Sequence, residues 1–260
     1  MTACRWLLTH QPFGGQVLGA QFSDSHGRAN QLFHLSTRSL GPRSPVRGGV
    51  PVLFQQFNEL GPLPKHGLVR TATWQSSADG YRVEIAPGTH SRWPHAARLS
   101  LLAHAEGTRL SLTLGVENIG PSAFEWTGGL HPYFAVADIT RARLTGLAGC
   151  GVSDRYDPSN TREQRATVSW AEGAPCERLY AEAPELLLDS GACRLRLGSS
   201  GFDQWMVWNP GETLAESIPD LSPGDWRRFV CVEPVIVSQP NQLEPGERFT
   251  GVLTIDVLID

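Results

Sequence analysis

Apolar and polar positions alternate with a period of two along most of the chain. In Arg98–Asn118 (RLSLLAHAEGTRLSLTLGVEN), Leu99 and Leu101 alternate with smaller or polar neighbours. Gly107 marks a turn, and Leu110, Leu112, Leu114 and Val116 then resume the spacing. A period of two puts these side chains on one face of a strand, so the segment predicts an antiparallel hairpin with one buried face. The C-terminal GVLTIDVLID repeats the pattern with Leu253, Ile255, Val257 and Ile259. Further strands are predicted in GYRVEIAPG, RLTGL, CRLRLG, DQWMVWN and RRFVCVEPVIV, separated by clusters of Gly, Pro, Ser and Asp. The 27 glycines and 19 prolines are spread throughout, which disfavours continuous helices. The predicted class is therefore all-β. With no repeat, low-complexity tract or linker, residues 1–260 read as a single domain. The least strand-like segment, Cys150–Pro175, reads as a long surface excursion that could rim a site.

Charge and cysteine content narrow the partners. A net charge of −4 and a pI near 6.1 give no reason to expect nucleic acid or an anionic membrane, which select for concentrated positive charge. A small-molecule partner and a monomer are expected. The 21 arginines against one lysine, Lys65, read mostly as a compositional bias. Five widely spaced cysteines without a C-x-x-C pair suggest neither a disulfide framework nor a zinc site, and fit a reducing compartment. The N-terminal MTACRWLLTHQPFGG has only a brief apolar patch, and no later run has the length to cross a bilayer. A cytoplasmic protein is expected.

Four stretches are stranger than a β core requires. Pro45–Trp74 (PVRGGVPVLFQQFNELGPLPKHGLVRTATW) mixes Arg47, Gln55, Gln56, His66 and Arg70 with apolar and turn residues. Gly128–Val136 (GGLHPYFAV) sets His131 between a glycine pair and aromatic residues. GFDQWMVWNPG places Asp203 before a tryptophan-rich strand, and RRFVCVEPVIV places Glu233 within an apolar run. A carboxylate there loses its hydration unless it has partners or faces a cleft, and either condition marks a tuned acid or base. The competing reading is a glutamate on the exposed face of an edge strand, with Pro234 interrupting the ladder. Pattern alone leaves the two open. A lone histidine such as His131 is more often structural than catalytic, and Asp203 and His66 alone would be turn residues.

Taken in order, these stretches resemble the aldose 1-epimerase superfamily, in its branch of glucose-6-phosphate 1-epimerases or hexose-6-phosphate mutarotases. The matching motifs are RGGVP at Arg47, QQF at Gln55, HGLVR at His66, HPYF at His131, WNP at Trp208, CVE at Cys231 and LEPGE at Leu243. Each is weak by itself; the ordered set is specific. The chain departs from the branch where QQF replaces Pro-Gln-Phe, and where proline rather than threonine follows His131.

The resemblance implies a β-supersandwich of galactose-mutarotase type with an open cleft on a curved sheet, and no metal or organic cofactor. It implies that Glu233 is the base and His131 the acid in ring opening and closure, the nearby carboxylate supporting the charged imidazole. His66 would hydrogen-bond the sugar near its ring oxygen or share the acid role, Asp203 would accept from a hydroxyl, and Gln56 would read a hydroxyl. Arg47 and Arg70 would hold a phosphate, making the partner a sugar phosphate. Rival readings are an epimerase of a non-phosphorylated aldose, a glycoside hydrolase pairing Glu233 with Asp203, and a noncatalytic sugar-binding module with Trp74, Trp205 and Trp208 as stacking platforms. Convergence of His131 and Glu233 on one cleft separates the epimerase from the module.

Overall fold

A computed structural model of the protein describes residues 4–38, 44–77 and 80–259; the first three residues of the N-terminal stretch lie outside these. Two large antiparallel sheets face each other. The back sheet has nine strands, and its centre is the predicted hairpin, Ala97–Glu106 paired with Arg109–Asn118, flanked by Gly80–Ile85 and the C-terminal Arg248–Leu258. Leu99, Leu101, Leu110, Leu112, Leu114 and Val116 are all buried on its inner face, as the alternation predicts. In the last strand Leu253, Ile255 and Val257 are buried too, but Ile259 lies past the end of the strand and is exposed.

The front sheet orders its strands as Val152–Asp154, Cys176–Tyr180, Gln204–Asn209, Phe229–Leu243, Phe124–Leu130 and Val52–Leu53, with Tyr133–Ala135 also on the long Phe229–Leu243 strand. A three-stranded sheet, Arg5–Gln11, Gln16–Ser23 and Ala29–Gln31, completes the fold. Helix is confined, among the described residues, to Gly211–Glu216 and two short 3-10 turns, and no helix is long and apolar enough to cross a membrane. The Cys150–Pro175 segment is more structured than its sequence suggests, because Val152–Asp154 joins the front sheet and Thr167–Val168 the back one. Glu163 anchors it: the buried carboxylate accepts from Arg165 and from the Tyr180 hydroxyl.

The front sheet is covered on both faces, which a simple core-and-solvent alternation does not anticipate. On its longest strand Val230, Val232 and Ile236 join the main core between the sheets. Residues of the other parity face the opposite way: Phe229 and Cys231 pack with Tyr133 and Leu221, and Val235 with Leu53, Phe57 and Met206. Glu233 shares that second parity. It is 1% exposed on an interior strand, so the edge-strand reading does not hold.

Candidate active site

The covered outer face of the front sheet holds a cavity of about 330 Å³. Strand pairing fixes its floor. Glu177 lies opposite Trp208, Trp208 opposite Cys231, and Met206 opposite Glu233, so Glu177, Met206, Trp208 and Glu233 line the cavity from three adjacent strands.

His131 arrives from the side. Its strand squeezes between Val52–Leu53 and Phe229–Leu243, where a Cβ on Gly128 would stand 2.1 Å from the Leu53 carbonyl oxygen and one on Gly129 would stand 2.2 Å from that of Pro234. Both glycines take positive φ, and no side chain fits at either place. Beyond them the His131 N–H donates to the Pro51 carbonyl, and the ring stacks on Tyr133 at 4.8 Å with 5° between planes. That framework brings His131 Nδ1 to 3.4 Å from Glu233 Oε1. Neither His131 Nδ1 nor Glu233 Oε2 has a hydrogen-bond partner, although both are buried.

The loop from Gln55 to Arg70 forms the wall. The Asn58 N–H donates to His66 Nδ1 while the His66 N–H donates to the Asn58 carbonyl, a reciprocal clasp holding His66 at φ +64°. An L residue accepts that conformation only when its surroundings enforce it. With Nδ1 accepting, the ring proton belongs on Nε2. Burial, then Arg70, Lys65 and Arg47, push the His66 pKa down to about 2.

Arg47 donates through Nε to Asp220 Oδ1 at 2.7 Å and through Nη1 to the Tyr133 hydroxyl at 3.1 Å. Burial works against its charge, but Tyr133 and Asp220 outweigh that and raise its pKa. Arg70 stands on the short Val69–Thr71 turn with a buried Nε that has no partner, and burial lowers its pKa. Both guanidinium groups line the cavity.

The electrostatics of the central pair differ from the expectation of a carboxylate-supported imidazolium. Burial, then His66, Arg70 and Arg47, hold His131 well below its ordinary pKa. Burial, helped by Glu177 and opposed by Arg70, lifts Glu233 well above the carboxylate range.

Two predicted binding residues fall elsewhere. Asp203 is exposed just before the Gln204–Asn209 strand, on the parity opposite to Met206 and Trp208, so it points away from the cavity. Gln56 is buried, but its amide bonds the backbone of Asn58 and Leu63 in its own loop, leaving nothing to read a hydroxyl. Trp74 and Trp205 donate their indole N–H to backbone carbonyls inside the core, and of the three proposed platforms only Trp208 reaches the cavity.

Sequence reasoning missed Glu177, whose carboxylate lines the cavity while accepting from Arg155 at 3.1 Å. It sits in APCERLY among ordinary alternating charges, and nothing local distinguishes it. Arg155 and Tyr156 reach the cavity rim from the Cys150–Pro175 excursion.

Residues 8–256 match the family model described as aldose 1-epimerase. A Cenchrus ciliaris protein provisionally named glucose-6-phosphate 1-epimerase is 26% identical over 269 residues, covering 95% of this chain and 80% of its own length. An Escherichia coli K12 protein with the same provisional name is 28% identical over 215 residues, or 76% of this chain and 70% of its own. A Salmonella typhimurium structure described provisionally as a mutarotase gives a TM-score of 0.80 at 21% identity, covering 100% of this chain and 92% of its own. A galactose mutarotase related enzyme from Lactobacillus acidophilus gives 0.71 at 12% identity, covering 98% and 95%. At such identities the structural likeness shows the fold, an all-β sandwich of galactose-mutarotase type.

Proposed function

The chain belongs to the aldose 1-epimerase family of isomerases, and we propose that it interconverts the α and β anomers of a hexose 6-phosphate, glucose 6-phosphate foremost. The observation that carries this reading is the approach of His131 Nδ1 to Glu233 Oε1, 3.4 Å, in a cavity that also holds Arg47 and Arg70.

A pyranose changes anomer when its C1 hydroxyl loses a proton and its ring oxygen gains one. The ring opens to the aldehyde, C1 turns, and the ring closes from the other carbonyl face. Glu233 takes the C1 proton, His131 gives one to the ring oxygen, and the roles reverse on closure. His66 Nε2–H steadies the sugar without exchanging its proton. The reactive form has carboxylate and imidazolium. A phosphate dianion on Arg47 and Arg70 offsets two of the charges that depress His131, so substrate binding itself brings the imidazole towards its charged form.

The noncatalytic module loses support on two counts: its stacking platforms are mostly in the core, and the acid and base converge. For the hydrolase, Asp203 points away from the cavity, and the second carboxylate there, Glu177, is engaged with Arg155. The deciding experiment is NMR exchange spectroscopy on the C1 protons of glucose 6-phosphate and glucose. The reading requires enzyme-dependent exchange that strongly favours the phosphate; exchange of free glucose at equal efficiency would assign the protein to non-phosphorylated aldoses.

A further inference from the structure

The proposed acid–base pair has a neighbour that anomerisation does not use. Cys231 precedes Glu233 by two residues on the same face of its strand, opposite Trp208 on one side and Tyr133 on the other, and is fully buried. Its Sγ, a ring nitrogen of His131 and a carboxylate oxygen of Glu233 all lie within 4.8 Å of one another. In this group His131 Nδ1 and Glu233 Oε2 are buried without a hydrogen bond. Buried polar atoms are seldom left so.

Sulfur, imidazole nitrogen and carboxylate oxygen are donors that zinc accepts in four-coordinate sites open on one side. Tetrahedral bonds of about 2.0–2.3 Å place neighbouring donors roughly 3.3–3.6 Å apart. The His131–Glu233 separation of 3.4 Å already fits. Closing the widest possible gap takes about 1 Å of side-chain movement. The open position would face the sugar cavity, since His131 and Glu233 both line it.

We propose that His131, Cys231 and Glu233 form a site for a thiophilic divalent cation, zinc foremost, and that its occupancy halts anomerisation by engaging the lone pairs that must carry protons. Binding takes the thiolate of Cys231, whose proton goes to solvent, with no change of oxidation state. The cavity arginines oppose a dication and moderate its affinity; Arg47 is ion-paired with Asp220, whereas the Arg70 Nε has no hydrogen-bond partner. Magnesium, which prefers oxygen donors in octahedral geometry, is excluded by the sulfur and the small size of the group. The inhibitory half of the proposal rests on the epimerase reading; the binding half does not.

The test uses the whole protein and cobalt(II) as a spectroscopic stand-in for zinc. Cobalt should produce a thiolate-to-metal charge-transfer band in the near ultraviolet, removed by added zinc and absent in Cys231→Ala. Zinc should inhibit anomer exchange while magnesium does not, and Cys231→Ala should raise the half-inhibiting zinc concentration at least ~10-fold with metal-free turnover retained. Cys231→Val, which fills the buried space, gives the same comparison should the alanine variant prove unstable. No sulfur-to-cobalt band, or equal zinc inhibition of wild type and both variants, overturns the site. A cobalt band without zinc inhibition overturns the inhibitory role. If the wild type exchanges no anomers at all, the epimerase reading fails, and the cobalt spectrum still decides whether the metal site exists.

Discussion

The two faces of the front sheet are both covered, yet they are built from different chemistry. On the inner face Val230, Val232 and Ile236 meet the back sheet within the main apolar core, and a polar group sharing that face, the Asn209 amide, is hydrogen-bonded to the Trp226 and Phe229 carbonyls. One residue along, the outer face presents Cys231, Glu233 and Trp208 beneath a loop and a short helix, and two of the polar atoms there have no partner. Burial on the inner face stabilises the protein, at about 25 cal/mol per Å² of apolar surface. The same burial on the outer face is destabilising, because it desolvates groups that prefer charge. The contrast is one of parity: the inner-facing residues of this strand join the main core, while the outer-facing ones set Glu233 among smaller apolar clusters beside the cavity.

The comparison breaks most visibly in catalysis. Glu233→Gln and His131→Ala on the outer face should each lower the anomer exchange rate by roughly 100-fold or more while the far-ultraviolet circular dichroism stays unchanged. Val232→Ala, one residue from Glu233 but on the inner face, should do the reverse. It should cost roughly 2 kcal/mol of unfolding free energy in a urea titration and leave turnover of the folded enzyme near wild type. Loss of turnover in the valine variant would mean that the two faces are not independent.

The arginines test the outer face by charge. Arg47→Ala and Arg70→Ala should each reduce kcat/KM for glucose 6-phosphate by about one to two decades, with little change for free glucose. Their stabilities should diverge. Arg47→Ala leaves Asp220 and Tyr133 unpaired and should lower Tm, whereas Arg70→Ala removes a buried charge with an orphaned Nε and should leave Tm equal or higher. Equal losses on both sugars would withdraw the phosphate assignment.

A smaller effect is expected in thermal unfolding. Glu233 has its pKa raised by burial above the ordinary 4.5, so the folded protein keeps a proton that the unfolded chain releases. Stability from this group is full below pH 4.5 and falls as pH rises towards the folded pKa. Glu233→Gln should therefore unfold at a higher temperature than wild type at pH 8, by roughly 2–4 °C for each kcal/mol relieved, and the gap should close as the pH approaches 5. A gap that widens at low pH would show that the carboxyl is held ionised instead. The smallest change is expected for Asp203→Asn, which should alter kcat/KM by less than about 2-fold because an exposed side chain of the wrong parity touches no substrate.

By itself the sequence determined the all-β class, the central hairpin and the identity of the chemical groups. The first two follow from local rules: a period of two selects strands, and glycines mark turns and places where backbones crowd; the ordered set of motifs carries the resemblance to aldose 1-epimerases. What it left open was parity. Alternation says which residues share a face, but not which face meets the core, and a strand buried on both sides looks uniformly apolar. That is why Glu233 could be read as an edge residue, why Asp203 was assigned to a site it points away from, and why Glu177 passed unnoticed two residues from Leu179. It is also why Gln56, whose amide is consumed by its own loop, looked free. Only the pairing of three strands in register, and the loop folded over them, decided which side chains converge, because that convergence depends on contacts between residues as far apart in the chain as His131 and Glu233.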